Sequence, residues 1–172
     1  MEAIRSAIET ACAHLSEHPE AAVSTDAPAT AVYEEGLRFR VEGPKGSVST
    51  DMATSVGGGA TAPTPAWLMR AALASCDATL IAMEAARQGV ELTELKVTVD
   101  SESDFRGVLG VDDSVHAGPR AVRVCIQVAA TGAGEDELRA IVERAEGHSP
   151  VRDAVVREVS MSTEILTTVA AG

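Results

Sequence analysis

The feature that most constrains the fold is a long, almost wholly apolar segment, PAWLMRAALASCDATLIAMEAARQ, at residues 65–88. Thr64 suits the N-cap of a helix, Pro65 suits its first turn, and Gly89 suits its C-terminal end. Three charged residues spaced seven positions apart form one narrow polar stripe, made of Arg70, Asp77 and Glu84. The segment therefore predicts one long helix that other parts of the protein must cover on most sides.

The composition fits one globular domain whose core is built from aliphatic side chains. The chain has 172 residues, which is enough for a sizeable core. Aromatic residues make up only 2% of the chain, so alanine, valine, leucine, isoleucine and methionine must fill that core. The formal net charge of −12 argues against nucleic acid and anionic membrane surfaces as partners, because both repel an acidic protein.

The cysteines and histidines do not follow a metal-binding pattern. The three cysteines, Cys12, Cys76 and Cys125, are widely spaced. An odd and unclustered set describes neither a disulfide framework nor a zinc site, so we expect no metal and no cofactor. We find no signal-peptide pattern and no apolar run of membrane-spanning length, and we therefore expect a soluble protein in the reducing cytoplasm.

The N-terminal segment differs from the rest of the chain. Residues 2–17 place apolar side chains at helical spacing, which predicts a short amphipathic helix. Residues 18–30 contain two prolines and several small polar residues, which is typical of a linker. The chain is therefore expected to divide into an N-terminal helix and linker, residues 1–30, and a main domain, residues 31–172.

The main domain begins with predicted strands and ends with a mixture of strands and helices. Residues 31–41 and 47–53 predict a β-hairpin, because the turn sequence GPKG joins them. A glycine-rich loop at residues 56–65 leads into the long helix. Alternating apolar residues predict two further strands, at residues 95–99 and 122–128, with a polar excursion between them.

The C-terminal part of the sequence predicts two helices and a last strand. Residues 135–146 carry an apolar helical face, and Ser149 followed by Pro150 is typical of a helix start. Residues 159–167 alternate in the manner of a strand. Because strands and helices are partly segregated along the chain, the α+β class is expected.

Three pieces of the sequence, taken in order, resemble the OsmC/Ohr family. They are GGGATAPTPAWLMRAALASCDAT at residues 57–79, ELKVTVDSE at residues 94–102, and IVERAEGHSPVRDAV at residues 141–155. The resemblance implies intertwined homodimers in which long central helices lie between β-sheets. It also implies a relation to peroxidases that reduce organic hydroperoxides with two cysteines.

The family's functional residues carry over only in part. Cys76 matches the cysteine of the central helix, whereas Ser149 stands where the second cysteine of a C-P-V turn would be. Ala66 stands where the hydroperoxide-resistance subgroup has a glutamate, and either Arg38 or Arg40 matches the family's arginine. A serine hydroxyl cannot resolve a sulfenic acid by forming a disulfide, so a two-cysteine cycle is not expected.

Each candidate residue also has a structural interpretation. Cys76 is either a reactive thiol or a small buried hydrophobe. His148 is either a base near that thiol or a cation at the end of the preceding helix. Arg38 and Arg40 are either partners of the thiolate or members of a solvated strand face. The thiolate is the reactive form, so a reactive Cys76 needs an arginine or His148 nearby.

The sequence thus predicts a catalytic set of Cys76, Arg38, Arg40, His148 and Ser149 in a homodimer. The predicted activity is that of a single-cysteine peroxidase or redox sensor, which takes an organic hydroperoxide and uses an external thiol as reductant. One alternative is a dimer that binds a small apolar ligand in a pocket between subunits, without catalysis. A further alternative is a hydrolase that uses Cys76 as nucleophile and His148 as base.

Overall fold

The computed structural model of the protein describes residues 1–168, which combine five α-helices with five β-strands. The helices are α1 (Glu2–Glu17), α2 (Pro65–Gln88), α3 (Phe105–Val108), α4 (Glu135–Glu146) and α5 (Pro150–Val156). The strands are β1 (Thr30–Glu35), β2 (Arg38–Gly43), β3 (Gly46–Thr50), β4 (Glu91–Glu102) and β5 (Ala121–Thr131). The predicted α+β class is confirmed.

The long helix α2 is the centre of the fold, as predicted. Its first turn is capped by Thr64, whose Oγ1 accepts a hydrogen bond from the backbone N–H of Trp67 at 3.2 Å. Its last turn ends at Gly89, which adopts a left-handed φ of 75°. The helix packs against β4, α4, α5 and α1. Among residues 1–168, seven apolar residues are buried, namely Leu73, Ile81, Ala85, Ala86, Val90, Ile141 and Ala145.

Strands β4 and β5 form an antiparallel ribbon that covers one side of α2. Opposite pairs such as Val97 with Ile126 contact the core, which is why the apolar residues alternate along both strands. Cys125 lies opposite Thr98 and is exposed on the other face. Both predicted strands are confirmed, and β4 is longer than predicted because the pairing continues to Glu102.

Strands β1, β2 and β3 form a second antiparallel sheet. The predicted single strand over residues 31–41 is wrong, because the chain reverses at Gly36 and gives two paired strands instead of one. Gly36 has a φ of 52°, a conformation that a residue with a side chain rarely adopts. The GPKG turn is confirmed, since Gly43 pairs with Gly46. The three strands pair extensively with one another, and in the described part of the chain they make few contacts with the helices.

The predicted last strand is not formed. Residues 157–168 form neither helix nor strand, and they make no ladder with either sheet in the part of the chain that the structure describes. The apolar residues of this segment lie mostly in solvent, and Met161 is 91% exposed. Alternating hydrophobicity predicts a strand only where a neighbouring strand is available to pair with it, and within residues 1–168 none is.

The N-terminal helix α1 packs on the C-terminal end of α2. The Nε of Arg5 donates a hydrogen bond to the carbonyl oxygen of Ala86 at 3.1 Å, and the guanidinium occupies the space that a side chain at Gly89 would need. A cation therefore sits at the negative end of the α2 dipole. The division at residue 30 stays a prediction, and residues 169–172 of the predicted main domain lie outside the described residues.

Candidate functional site

The thiol of Cys76 lies in a contact between the middle of α2 and the start of α5. The Ser149 hydroxyl donates a hydrogen bond to the Cys76 sulfur at 3.3 Å. Ser149 is only 2% exposed, whereas Cys76 is partly exposed. The sulfur is thus held by a buried donor while part of the cysteine remains open to solvent.

The position of Ser149 follows from the local sequence. Ser149 is the N-cap of α5, Pro150 occupies the first helical position, and the backbone N–H of Arg152 donates to Ser149 Oγ at 3.4 Å. The helix start predicted from Ser149 and Pro150 is therefore confirmed. Because the hydroxyl oxygen accepts from Arg152, its proton is free to point at the sulfur, and a chain of hydrogen bonds leads from Arg152 to Cys76.

A buried ion pair fixes α5 against α2 next to this contact. Asp77 is fully buried, and its Oδ2 accepts a hydrogen bond from Arg152 Nη2 at 2.7 Å. The same guanidinium also contacts Glu146. Asp77 Oδ1 and Arg152 Nε have no hydrogen-bond partner among the described residues. The ion pair therefore connects Asp77, the residue after Cys76 in α2, to α5, the helix that Ser149 caps.

The polar stripe of α2 faces the neighbouring helices. Glu84 is buried and forms ion pairs with Arg144 of α4 at 3.1 Å and with Arg87 at 3.2 Å. Together with the Asp77 pair, these contacts join α2 to both C-terminal helices. Arg70, at the other end of the stripe, donates to Ser101 Oγ at 3.1 Å and has no carboxylate partner within residues 1–168.

The two candidate arginines lie on β2 and are engaged by groups near them. Arg38 pairs with Glu34 at 3.0 Å and donates to Thr61 Oγ1 at 2.7 Å. Arg40 contacts Glu42 and lies 3.5 Å from Glu34. In the described part of the chain, neither arginine makes a hydrogen bond to Cys76. Within one subunit the structure therefore joins Cys76 to Ser149 and leaves the arginines in a separate cluster.

The glycine-rich loop is closed by Asp51, which sequence reasoning did not identify. One carboxylate oxygen accepts from Met52 N–H and Gly59 N–H, and the other accepts from the backbone and side chain of Thr61, over 2.7–3.2 Å. The hydrogen bonds from Thr61 hold the pKa of Asp51 at about 2. The sequence signal that could have identified Asp51 is its position. It is an acidic residue directly before a glycine-rich loop, whose backbone N–H groups need acceptors.

Within residues 1–168, the remaining candidate residues make no hydrogen bond to the Cys76 sulfur. His148 is exposed, and its Nδ1–H donates to the carbonyl oxygen of Arg144 at 2.8 Å, in the last turn of α4. Cys12 and Cys125 are free and exposed. Within residues 1–168, no three His, Cys, Asp or Glu side chains are grouped so that they could hold a metal ion.

The arrangement supports thiol chemistry at Cys76. Attack by a thiolate requires access for the other reactant and a donor that stabilises negative charge on sulfur. Partial exposure of Cys76 gives the first, and the Ser149 hydroxyl gives the second. The adjacent carboxylate of Asp77 is neutralised by Arg152, so it does not leave an unpaired negative charge beside the sulfur.

Comparison with known proteins identifies the family. The family model described as OsmC-like protein matches residues 57–164, which include α2, β4, β5, α4 and α5. The chain therefore belongs to the OsmC-like family, and the resemblance read from the three sequence pieces is confirmed. A search of curated proteins gave no significant match.

Solved structures share the fold at low sequence identity. An OsmC-like protein from Mycoplasma pneumoniae has a TM-score of 0.65 at 14% identity, over 77% of this chain and 89% of that one. An organic hydroperoxide resistance protein from Legionella pneumophila has a TM-score of 0.55 at 22% identity, over 78% and 91%. The organic hydroperoxide resistance protein OhrB of Bacillus subtilis has a TM-score of 0.51 at 20% identity, over 77% and 91%. These likenesses define the fold.

Among residues 1–168, one helix, α2, is long and apolar enough to cross a membrane. The expectation that no apolar run reaches that length is therefore wrong. The buried core helices of soluble proteins can be equally long and apolar. Here α2 packs against β4 and three other helices and carries three charged residues of the polar stripe, and the OsmC-like family consists of soluble proteins.

Proposed function

We propose that this protein is a single-cysteine thiol peroxidase, or a sensor that uses the same chemistry, and that its substrate is an organic hydroperoxide. The observation that carries the proposal is the hydrogen bond from the buried Ser149 hydroxyl to the Cys76 sulfur. Similar folds among organic hydroperoxide resistance proteins support the choice of substrate class. We expect the protein to work in the cytoplasm, where thiols are kept reduced.

The reaction begins at the Cys76 thiolate. The thiolate attacks one peroxide oxygen, an S–O bond forms, and the O–O bond breaks. The electrons of the O–O bond leave with the alkoxide, which takes up the proton released by the thiol and departs as an alcohol. Cys76 is left as a sulfenic acid, so sulfur is oxidised by two electrons and the hydroperoxide is reduced by two.

The return to the thiol requires an external reductant, because Ser149 cannot supply a second sulfur. A first thiol molecule condenses with the sulfenic acid, which releases water and forms a mixed disulfide on Cys76. A second thiol molecule attacks the outer sulfur, which releases a symmetrical disulfide and restores Cys76. If no thiol gains access, the oxidised state persists and the protein acts as a sensor.

The proposed working unit is a homodimer in which a partner covers the surfaces that one chain leaves open. The accessible surface of one chain is 12397 Å², whereas a compact monomer of 17.7 kDa exposes about 8,000 Å². Within residues 1–168, the three-stranded sheet makes few contacts with the helices of its own chain, and the apolar residues of 157–168 are exposed. In such a dimer, Arg38 or Arg40 is the candidate to approach the partner subunit's Cys76.

The test is an intact mass spectrum after a slight excess of cumene hydroperoxide. The measurement is best made in the Cys12→Ser/Cys125→Ser background, because both of those thiols are exposed. Gain of one oxygen within seconds, absent after a further Cys76→Ser change, supports the peroxidase. Addition of a small thiol should then give the mixed disulfide and finally the unmodified mass.

No oxygen gain over minutes at neutral pH would contradict the peroxidase. The second candidate, a dimer that binds a small apolar ligand without chemistry, is favoured by the partly exposed apolar face of α2. That candidate predicts a ligand that copurifies with the protein or raises its unfolding temperature, with no change in Cys76. The dimer itself is tested by sedimentation, and a monomer at micromolar concentration would contradict it.

A further inference from the structure

Two histidines lie side by side at the C-terminal end of α1. His14 and His18 are four residues apart, and their ring centroids are 4.9 Å from each other. Side chains at this spacing lie on one face of a helix, and histidine pairs at i and i+4 bind transition metals in this way. Helix α1 precedes residues 57–164, so the pair lies outside the part of the chain that the family model matches.

The pair lies on the side of α1 that faces away from α2. Arg5 makes a contact with α2 through the carbonyl oxygen of Ala86. His14 follows Arg5 by nine residues, which is about two and a half turns of helix and therefore the opposite face. Both histidines are exposed, and the His18 side chain keeps 52% of its accessible surface. A cation can thus reach both rings without any change in the packing of α1 on α2.

The separation of the two rings suits bonds to one shared ion. A zinc–nitrogen bond is about 2.0–2.1 Å long, so the ion lies roughly 3.2 Å from the centroid of each ring. Two rings bound at an angle of roughly 100–110° then have their centroids about 5 Å apart. The observed separation of 4.9 Å matches this value. Rotation of two exposed side chains is enough to turn one nitrogen of each ring towards the ion.

A carboxylate stands behind one of the rings. Glu20 belongs to a single 3-10 turn, Pro19–Ala22, and its Oε1 lies 3.4 Å from Nδ1 of His18. An acceptor beside Nδ1 favours the tautomer that carries its proton there, which leaves Nε2 unprotonated as a ligand. Carboxylate–histidine–metal arrangements of this kind orient the imidazole and make it a stronger ligand.

The electrostatic surroundings favour a cation at this position. His14 lies in the last turn of α1, where the negative end of the helix dipole is located. Glu17 and Glu20 are exposed at the same end of the helix, and the chain has a net charge of −12. Cys12 is two residues from His14 and therefore points in another direction, so its thiol is not part of the pair.

We propose that His14 and His18 bind one late first-row divalent cation, such as Zn²⁺, with Glu20 as the acceptor behind His18. Imidazole is a preferred ligand of Zn²⁺, Ni²⁺ and Cu²⁺, whereas Mg²⁺ and Ca²⁺ take oxygen ligands. Two imidazoles leave the remaining coordination positions to water, which agrees with the absence of a three-ligand group in residues 1–168. The expectation of no metal rested on the cysteines, which take no part here. The site shares no residue with the Cys76 contact and does not depend on the proposed peroxidase.

The test titrates Zn²⁺ into the full chain by calorimetry. The Cys12→Ser/Cys125→Ser background is used because exposed thiols also bind Zn²⁺. His14→Gln and His18→Gln should each weaken binding by roughly tenfold or more, because a single imidazole loses the advantage of a second, intramolecular ligand. His116→Gln is the matched control, since it removes an exposed histidine outside α1 and should leave the affinity unchanged.

NMR of the histidine ring nitrogens gives a second measurement that needs no change at the site. Zn²⁺ should shift the ring signals of His14 and His18 together and leave those of His116 in place, whereas Mg²⁺ should shift none of them. Glu20→Gln should weaken Zn²⁺ binding by up to about tenfold, and an unchanged affinity would overturn its assigned role. A shift at only one of the two rings, or an affinity that neither histidine variant lowers, would overturn the proposal.

Discussion

The Ser149 hydroxyl lies 3.3 Å from the sulfur of Cys76, although 73 residues separate the two in the chain. The contact exists because Ser149 is the N-cap of α5 and because Arg152, one turn later, is paired with the buried Asp77. A small polar residue at a helix N-cap thereby becomes the donor to a thiol on another helix. The proposed reactivity of Cys76 should therefore depend on residues of α5 as well as on those of α2.

Removal of the hydroxyl should slow the reaction of Cys76 with an alkylating reagent. In the Cys12→Ser/Cys125→Ser background, Ser149→Ala should lower the iodoacetamide rate at neutral pH by roughly two- to tenfold, the value of one hydrogen bond. Ser75→Ala is the matched control, because the Ser75 hydroxyl bonds the carbonyl of Ala72 and not the sulfur. Equal rates in the two variants would contradict a role for Ser149.

Replacement of Ser149 by cysteine should allow a disulfide to form with Cys76. The present sulfur-to-oxygen distance is 3.3 Å, and a disulfide needs about 2.05 Å, so only a small approach of α5 and α2 is required. We expect Ser149→Cys to lose two thiols and two hydrogens on treatment with hydroperoxide, as read by thiol titration and intact mass. A control with Ser75→Cys should form no bond to Cys76, because neighbouring residues of a helix point apart.

Helices and long strands could be predicted because their signals are local. The cap at Thr64, the stop at Gly89 and the alternation in β4 and β5 all lie within the elements they define. The turn at Gly36 was missed, since the residues on both sides favour strands and only the backbone conformation of one glycine reverses the chain. The last strand was predicted wrongly because pairing is not a local property.

The candidate site could be predicted less well than the fold. The family resemblance aligned Ser149 with a cysteine position, but the hydrogen bond to Cys76 depends on how α5 packs against α2. A charged stripe on a helix gives no indication of its partners, and Asp77 is fully buried because Arg152 approaches from another helix. Distances between helices that are separate in sequence arise from packing of the whole core.

The Asp77–Arg152 pair should make a large contribution to stability when one partner is removed. Arg152→Met leaves the buried Asp77 carboxylate without a counter-charge, which should lower the free energy of unfolding by about 3–5 kcal/mol. Arg157→Met removes an exposed ion pair with Asp153 and should cost less than about 1 kcal/mol. Urea unfolding of the two variants measures the difference.

A double variant tests the electrostatic explanation for this loss. Asp77→Leu combined with Arg152→Met removes both charges and leaves apolar groups in their place, so much of the lost stability should return. The comparison also needs Asp77→Leu alone. If the double variant loses as much stability as Asp77→Leu and Arg152→Met lose in sum, packing of Arg152 would account for the effect and the ion pair would not.

Acid should open the glycine-rich loop through Asp51. The hydrogen bonds from Thr61 lower the pKa of Asp51 from its ordinary value of 3.8 to about 2 in the folded protein. A carboxyl whose pKa is lower in the folded state stabilises the fold at a pH above its unfolded pKa, and this contribution is lost as the pH falls through the folded pKa. The stabilisation is therefore complete above about pH 4 and declines towards pH 2.

The measurement is the free energy of unfolding of the native chain minus that of Asp51→Asn, followed from pH 6 to pH 2. We expect the difference to be constant at the upper end and to shrink below about pH 4, because protonated Asp51 and asparagine both lack the full set of acceptors. Asp113→Asn, at an exposed position in the excursion, corrects for the loss of one carboxylate. A difference that grows as the pH falls would contradict the assigned role of Asp51.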